Sequence, residues 1–552
     1  MWPLSGGSEV ELLSDPIPAN GRGLGGGVHV WNASGDIVYV ITRDAGIVAI
    51  AVGETGPIGV RSLECDASRS WFTPALDIFE KRLYVIADNK ELWSIDVSTH
   101  EAVLDFRADG FAMDAAAGVG GMCLTWDRAE MPWTQSRIYP EQTIPGVSMS
   151  QPRFSRLGTS FGFISDTHGV ANVTIMGDDI VDYNVEIIDV CEHAGPTWGP
   201  GQRSWCFNSD GTRVAYTRNE NGFGSLWIFD RSTGSRHRIG QGVHGCLSWE
   251  GDVLAAVRTG ARTPLEVVVY DVRNISDPSR QILVRPSDDR WRSDEVDIEL
   301  VEPTVEHVLV EDHDIVYRLY RANTPNGAVL CWVHGGPIDQ WQVTFRPRLI
   351  FWLSRGYSIA VLDHRGTTGH GRNFALALEG HWGDHDVTDT VAVLGDLHQR
   401  LNFTPSKTVV MGSSAGGLTA LNTVVRDSSL MAAVVVSYPV VDLAEMLHGD
   451  DPFESHYMPR LIGAISARDE LLEERSPFRH ADAFVGTPVL VFHGDQDTSV
   501  PLVHSQLLVE AVRSAGGDIR LIVFSHEGHG FRNTENIREE FHITEQFLSS
   551  VV

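Results

Sequence analysis

The stretch VVMGSSAGGLTALN, residues 409–422, sets two adjacent serines in a glycine-rich turn. A β-branched run leads in and a helix-compatible run leads out, which predicts strand, sharp turn, helix. Gly412-Ser413-Ser414-Ala415-Gly416 fits G-x-S-x-G with Ser414 at its centre. In such an elbow the serine stands on a strained turn, and the flanking glycines let strand and helix approach closely. Ser413 precedes the elbow and is expected to point away from the site. The pattern alone is common by chance, so its surroundings decide its meaning.

Those surroundings alternate apolar runs with helical stretches: GAVLCWVHGG (327–336), YSIAVLDHRG (357–366), KTVVMGSSAGG (407–417), AAVVVSYPV (432–440), TPVLVFHGDQD (487–497) and IRLIVFSHEGHG (519–530). Near-continuous apolar strands with helices between them predict a parallel sheet covered on both faces. Residues 371–401 read as a long crossover helix region. A serine hydroxyl is a weak nucleophile until a base takes its proton. An α/β-hydrolase supplies the partners in the order Ser, Asp or Glu, His. Here HGDQD and HEGHGF each follow a strand, at the strand ends where ligands collect in open α/β sheets. Of Asp495 and Asp497, the second is further from its strand and has more freedom to reach an imidazole. Of His526 and His529, the second is flanked by Gly528 and Gly530, which permit an exposed, tightly turned ring. Acyl transfer also needs donors aimed at the developing oxyanion. The Ala415 N–H and the Gly336 N–H, in VHGGP (333–337), are the candidates.

Upstream of about residue 295 the pattern differs. Strand, polar turn and strand recur in 36–52, 82–97, 160–177, 212–230 and 252–272, and less clearly in 121–139. The spacing of roughly 40 to 50 residues is that of a propeller blade. The expected architecture is an N-terminal β-propeller, 1–298, and a C-terminal α/β-hydrolase domain, 299–552.

The chain has 552 residues, 42% hydrophobic and 21% charged, with a formal net charge of −30. The acidic balance argues against nucleic acid or an anionic membrane as partner. No apolar run is long enough to span a bilayer, and the N-terminal residues lack a basic region followed by an apolar one. A cytoplasmic location is the expectation. The six cysteines form neither CxxC nor a Cys/His cluster at metal-ligand spacing and read as free thiols.

Several stretches together resemble the prolyl oligopeptidase family of serine peptidases, in the branch of bacterial acylaminoacyl-peptidases and dipeptidyl aminopeptidases. They are HGGP (334–337), DHRGTTGHGRNF (363–374), GHWGDHDVTD (380–389), GSSAGG (412–417), DPFESHYMPRLIG (451–463), ERSPFRHAD (474–482), HGDQDTSVP (493–501) and EGHGFRNTENI (527–537). The resemblance implies Asp497 as the acid, His529 as the base, and a propeller that restricts access to short peptides. Looser similarity at 25–31, 125–133 and 148–155 favours that propeller. The chain departs from the family twice. Relatives usually carry another blade's worth of chain ahead of WPLSGG, so the alternatives are a propeller short by a blade, one open on one side, or one closed differently. Ser499 stands where several members place an arginine that holds a substrate carbonyl.

The expected activity is acyl transfer by Ser414, Asp497 and His529 with no metal or organic cofactor. The substrates would be short peptides cleaved from or near the N-terminus. An esterase or amidase for small acyl substrates would use the same triad. A propeller-based binding protein with a silent hydrolase domain is the reading from another class. The resemblance suggests a P1 pocket lined by Tyr438, Val440 and Leu443, with Glu454 approaching the site. No close Glu pair for a free N-terminal amine is evident in the propeller half: Glu130 and Glu220 lie on expected loops and read as solvated surface, and Trp133 either lines the tunnel or packs between blades. A homo-oligomer would close an incomplete propeller.

Overall fold

The computed structural model describes residues 11–16, 18–19, 27–43, 46–63, 65–126, 136–139, 142–143, 148–176, 183–184, 187–195, 201–284, 300–447, 457–463 and 470–552. The chain divides into two compact units, 1–289 with 342–345, and 290–341 with 346–552. The expected boundary at 298/299 falls in 285–299, outside the described residues.

The first unit is a β-propeller. Six four-stranded antiparallel sheets follow one another along the chain, within 29–62, 71–107, 111–143, 149–184, 205–241 and 243–284. Each is a meander whose strands pair in sequence order. Alternation of side chains across a strand lets one strand serve two interfaces. In Ile37–Ile41, Tyr39 and Ile41 pack with Trp71, Leu83 and Val85 of the next sheet. Val38 and Val40 face the other way, where Leu12 and Leu13 cover them. The same stacking joins Ile164 and Val173 to Trp205 and Val214, and Leu226 and Ile228 to Leu254 and Val268. All five clear hairpins expected from the sequence are present, and Gly121–Trp126 pairs with Ser136–Tyr139.

The second unit is an eight-stranded sheet. Its strands are β1 (Thr304–Val310), β2 (His313–Tyr320), β3 (Val329–Val333), β4 (Ser358–Asp363), β5 (Thr408–Ser413), β6 (Ala433–Ser437), β7 (Val489–Gly494) and β8 (Ile519–Phe524). They lie in the order β1-β2-β4-β3-β5-β6-β7-β8. β3 to β8 are parallel, and the antiparallel pair β1–β2 is joined to β4 at one edge. The longer helices are α1 (His385–Gln399), α2 (Ala415–Asp427), α3 (Val503–Ser514) and α4 (Thr534–Val551). Strands such as VLCWV and VLVFHG are buried along their whole length, as a sheet covered on both faces requires. One face packs Cys331, Val410, Val434 and Val491 against Leu394, Leu397, Leu421, Val424 and Leu508 of α1, α2 and α3. Elsewhere α4 packs Phe541 on Phe351 and Trp352 of the helix Pro347–Leu353.

The structure breaks the crossover expected at 371–401. A short helix, Arg372–Leu376, and α1 are separated by turns. Gly380 and Gly383 in the intervening GHWGD take φ of 76° and 83°, values that end a right-handed helix. Among the described residues no helix is long and apolar enough to cross a membrane.

Candidate active site

Ser414 sits between β5 and α2 with φ 56° and ψ −124°. A non-glycine residue rarely holds positive φ unless its surroundings impose it. They do here. A Cβ on Gly412 would lie 2.1 Å from the Gly416 carbonyl oxygen, and one on Gly416 would lie 2.5 Å from the His334 carbonyl oxygen. Only glycine at both positions lets strand, turn and the HGGP loop meet.

The side chains expected to work together are in contact. The Ser414 hydroxyl donates to His529 Nε2 at 2.9 Å, and His529 Nδ1 donates to Asp497 Oδ2 at 2.8 Å. Asp497 Oδ1 accepts from the backbone N–H groups of Ser499 (3.0 Å) and Val500 (2.9 Å). Burial pushes the Asp497 carboxyl up. The hydrogen bond and charge of His529 and the Val500 N–H more than offset this and hold it below the usual carboxylate range. His493, of the same HGDQD loop, is wholly buried. It meets Ser505 Oγ at 2.7 Å and donates to the Val500 carbonyl at 2.9 Å, so it shapes the turn that carries Asp497.

Asp495 and His526 have another task. Asp495 Oδ1 accepts the His526 N–H at 2.7 Å, binding the acid loop to the histidine loop. A residue that sequence reasoning missed completes this support. Glu527 is buried and accepts the N–H groups of Arg532 and Asn533 and the Asn536 amide, each at 2.9 Å. That carboxylate fixes both the His529 loop and the start of α4. Its signal was an acid between His526 and the glycine-flanked His529, just ahead of the helix that follows.

The HGGP loop runs beside the elbow. A Cβ on Gly335 would lie 3.4 Å from Ser414 Cβ. Among the described residues, no hydrogen bond uses the N–H of Gly336 or of Ala415. His334 is an internal brace. Its Nδ1 donates to the Gly335 carbonyl at 2.8 Å, and its Nε2 accepts from Thr367 Oγ1 at 2.8 Å. Burial and the nearby His364 hold it neutral, with its pKa lowered to about 3. Behind the loop, Asp363 accepts from both Arg318 Nη atoms (2.5 and 2.6 Å), Gln340 Nε2 (2.8 Å) and His370 Nε2 (2.8 Å). This buried cluster joins β2 and β4 to the loop.

Of the residues expected in a P1 pocket, Tyr438 is at the centre, with its ring 4.6 Å from that of His529 and 5.5 Å from that of Phe531. Val440 is buried and donates its N–H to the Ser414 carbonyl at 3.3 Å. Leu443 is also buried, and its N–H donates to Ser476 Oγ at 3.0 Å. Both pack in the interior. Glu454, Glu130 and Trp133 lie outside the described residues. Glu220 is exposed, 3.8 Å from Arg218. Five cysteines, Cys65, Cys191, Cys206, Cys246 and Cys331, are free thiols.

A serine, a histidine and a carboxylate in one hydrogen-bonded chain at the strand ends of such a sheet define an α/β-hydrolase. Comparison with known proteins narrows the class. Residues 343–552 match the prolyl oligopeptidase family, and the chain carries a domain of that family. Acylamino-acid-releasing enzyme 1 of Oryza sativa is 26% identical over 218 residues, 38% of this chain and 28% of its own length. Dipeptidyl aminopeptidase BIII of Pseudoxanthomonas mexicana is 28% identical over 234 residues, 42% of this chain and 34% of its own. The match thus spans about a third or less of either relative. A puromycin-hydrolyzing peptidase of Mycobacterium tuberculosis shares the fold across 95% of this chain and 86% of its own, with a TM-score of 0.81 at 20% identity.

Proposed function

We propose that the protein is a serine peptidase that removes residues at or near the N-terminus of short peptides. The observation that carries this reading is the unbroken chain Ser414 Oγ–His529–Asp497. Ser414 attacks the scissile carbonyl while His529 Nε2 takes its proton. Asp497 holds the imidazole with Nδ1 protonated and stabilises the imidazolium. The two unused N–H groups, Gly336 and Ala415, receive the oxyanion. His529 then gives its proton to the leaving amine, and water releases the acyl group. No metal or organic cofactor enters these steps. The names of the two relatives, acylamino-acid-releasing enzyme and dipeptidyl aminopeptidase, support amino-terminal residues as the unit removed. The net charge of −30 disfavours nucleic acid as a partner, and the free thiols fit a cytoplasmic setting.

The test is labelling by a fluorophosphonate probe in wild type and Ser414→Ala, with hydrolysis of free and acetylated aminoacyl and dipeptidyl anilides and p-nitrophenyl esters. Labelling lost in the variant, with anilide cleavage, is the expected result. Ester turnover alone would replace peptidase by esterase. A folded protein that takes no label would overturn the catalytic reading.

A further inference from the structure

A second cluster of ligand-bearing side chains lies on the turn that enters α1, apart from the Ser414 chain. His381, Asp384 and His385 each present a donor atom, all within 4.8 Å of one another. The backbone produces this convergence. The N–H groups of Asp384 and His385 both donate to the His381 carbonyl at 3.0 Å, so the chain folds back on itself in a tight turn that leads into α1. The two imidazoles lie parallel, 3.9 Å apart with 3° between their planes.

We propose that His381, Asp384 and His385 form a binding site for one divalent transition-metal ion of the zinc class. Two imidazoles and a carboxylate are a common three-ligand set for zinc, with the fourth position open to water. The outer contacts prepare the ligands. His385 Nδ1 donates to the Ala377 carbonyl at 2.9 Å, which leaves the Nε2 lone pair for the metal. Such a bond to the second ring nitrogen is how proteins orient a ligating histidine. Asp384 Oδ1 accepts from Arg426 Nη2 at 2.9 Å, which orients the carboxylate. His381 makes no side-chain hydrogen bond among the described residues and is exposed, so its ring is free to move. Tetrahedral zinc places its donors roughly 3.3 Å apart. Because the two rings are stacked in parallel, the His381 ring must also rotate out of the stack to turn its lone pair toward an ion held by His385 and Asp384.

The turn is held firmly enough to keep this geometry. The Gly380 N–H donates to the Arg460 carbonyl (3.0 Å), and the Trp382 N–H donates to the Leu461 carbonyl (3.2 Å). Arg475 Nη1 donates to the carbonyls of Gly380 (3.0 Å), Trp382 (3.2 Å) and Ile462 (3.1 Å). The cations nearby are accounted for. Arg365 is paired with Asp389 and Glu311, Arg426 is spent on Asp384, and Arg475 is turned to carbonyls. The residue after the cluster, Asp386, accepts the Gly383 N–H (2.7 Å) and the Thr419 hydroxyl of α2. A bound ion would therefore stiffen the turn that braces the helix behind Ser414.

The experiment uses the full chain stripped of metal with a chelator. Zn2+ binding is measured by competition with a chromophoric chelator, and Co2+ binding by its visible d–d bands. Wild type should bind one Zn2+, show tetrahedral Co2+ bands and unfold at a higher temperature with Zn2+. His381→Gln should weaken binding at least tenfold, and His381→Gln with His385→Gln should abolish the site. Fluorophosphonate labelling reports that each variant is folded, and it tests the Ser414 reading separately. Equal binding by wild type and a folded double variant, or no binding by wild type at micromolar Zn2+, would overturn the proposal.

Discussion

Asp497→Asn exposes how the triad is oriented. Asp497 Oδ1 takes two backbone N–H groups, from Ser499 and Val500, while Oδ2 faces His529 Nδ1. An asparagine in this place has one oxygen to offer. Two fixed N–H donors claim it, because the amide NH2 cannot accept either of them. The NH2 group must then face Nδ1. It donates where the carboxylate accepted, so the imidazole carries its proton on Nε2. That nitrogen no longer accepts the Ser414 proton. The expected loss is about 10⁴-fold in labelling rate and in kcat/KM, or about 5 kcal/mol of transition-state stabilisation. The substitution is isosteric, so folding should persist, and circular dichroism and thermal unfolding check this. Pseudo-first-order labelling by the fluorophosphonate is the assay, since it requires no knowledge of the natural substrate. A folded variant that labels within tenfold of wild type would refute the tautomer argument.

Other perturbations test separate parts of the site. Tyr438→Phe keeps the ring against His529 and should leave the labelling rate nearly unchanged. Tyr438→Ala releases the imidazole and should lower the rate about tenfold or more, because small misplacements are costly in catalysis. Gly412→Ala drives a Cβ to 2.1 Å from a backbone oxygen that cannot retreat. The expected cost is about 3 kcal/mol or more, seen as a lower denaturant midpoint. Acid should destabilise the protein through its buried neutral histidines. Burial lowers the pKa of His334 to about 3 and that of His504 to about 4, both below the unfolded value near 6.5. The unfolded chain therefore binds more protons between those limits, and stability falls with pH by about 1.4 kcal/mol per unit for each group. Asp339, raised to about 6 by burial, opposes this trend between its unfolded pKa and pH 6. Thermal unfolding from pH 7 to pH 4 should show the net decline, and His504→Gln should reduce it.

The residues that sequence reasoning found share a physical property: each is forced by backbone geometry as well as by chemistry. Ser414 was legible because its strained turn demands Gly412 and Gly416, and glycines are visible in a sequence. Asp497 and His529 were legible because they stand just past apolar strands, in loops with few residues to choose from. The reason Asp497 meets His529 and Asp495 does not was only partly visible. Reach from the strand was the criterion available, whereas the structure shows Asp495 already committed to the His526 N–H. The hairpin β1–β2 was missed because its turn, VEDHDI, holds no glycine or proline to mark it. The crossover region 371–401 was legible as helical, but the point at which it divides was not: Gly380 and Gly383 take positive φ between Arg372–Leu376 and α1. The pocket was the least legible part. Val440 and Leu443 are apolar residues after a strand, and core packing and pocket lining place the same residue types there. Periodicity reports that a side chain leaves water. It cannot report whether protein or substrate displaces that water, and this is why the chemistry of the site was readable before its specificity.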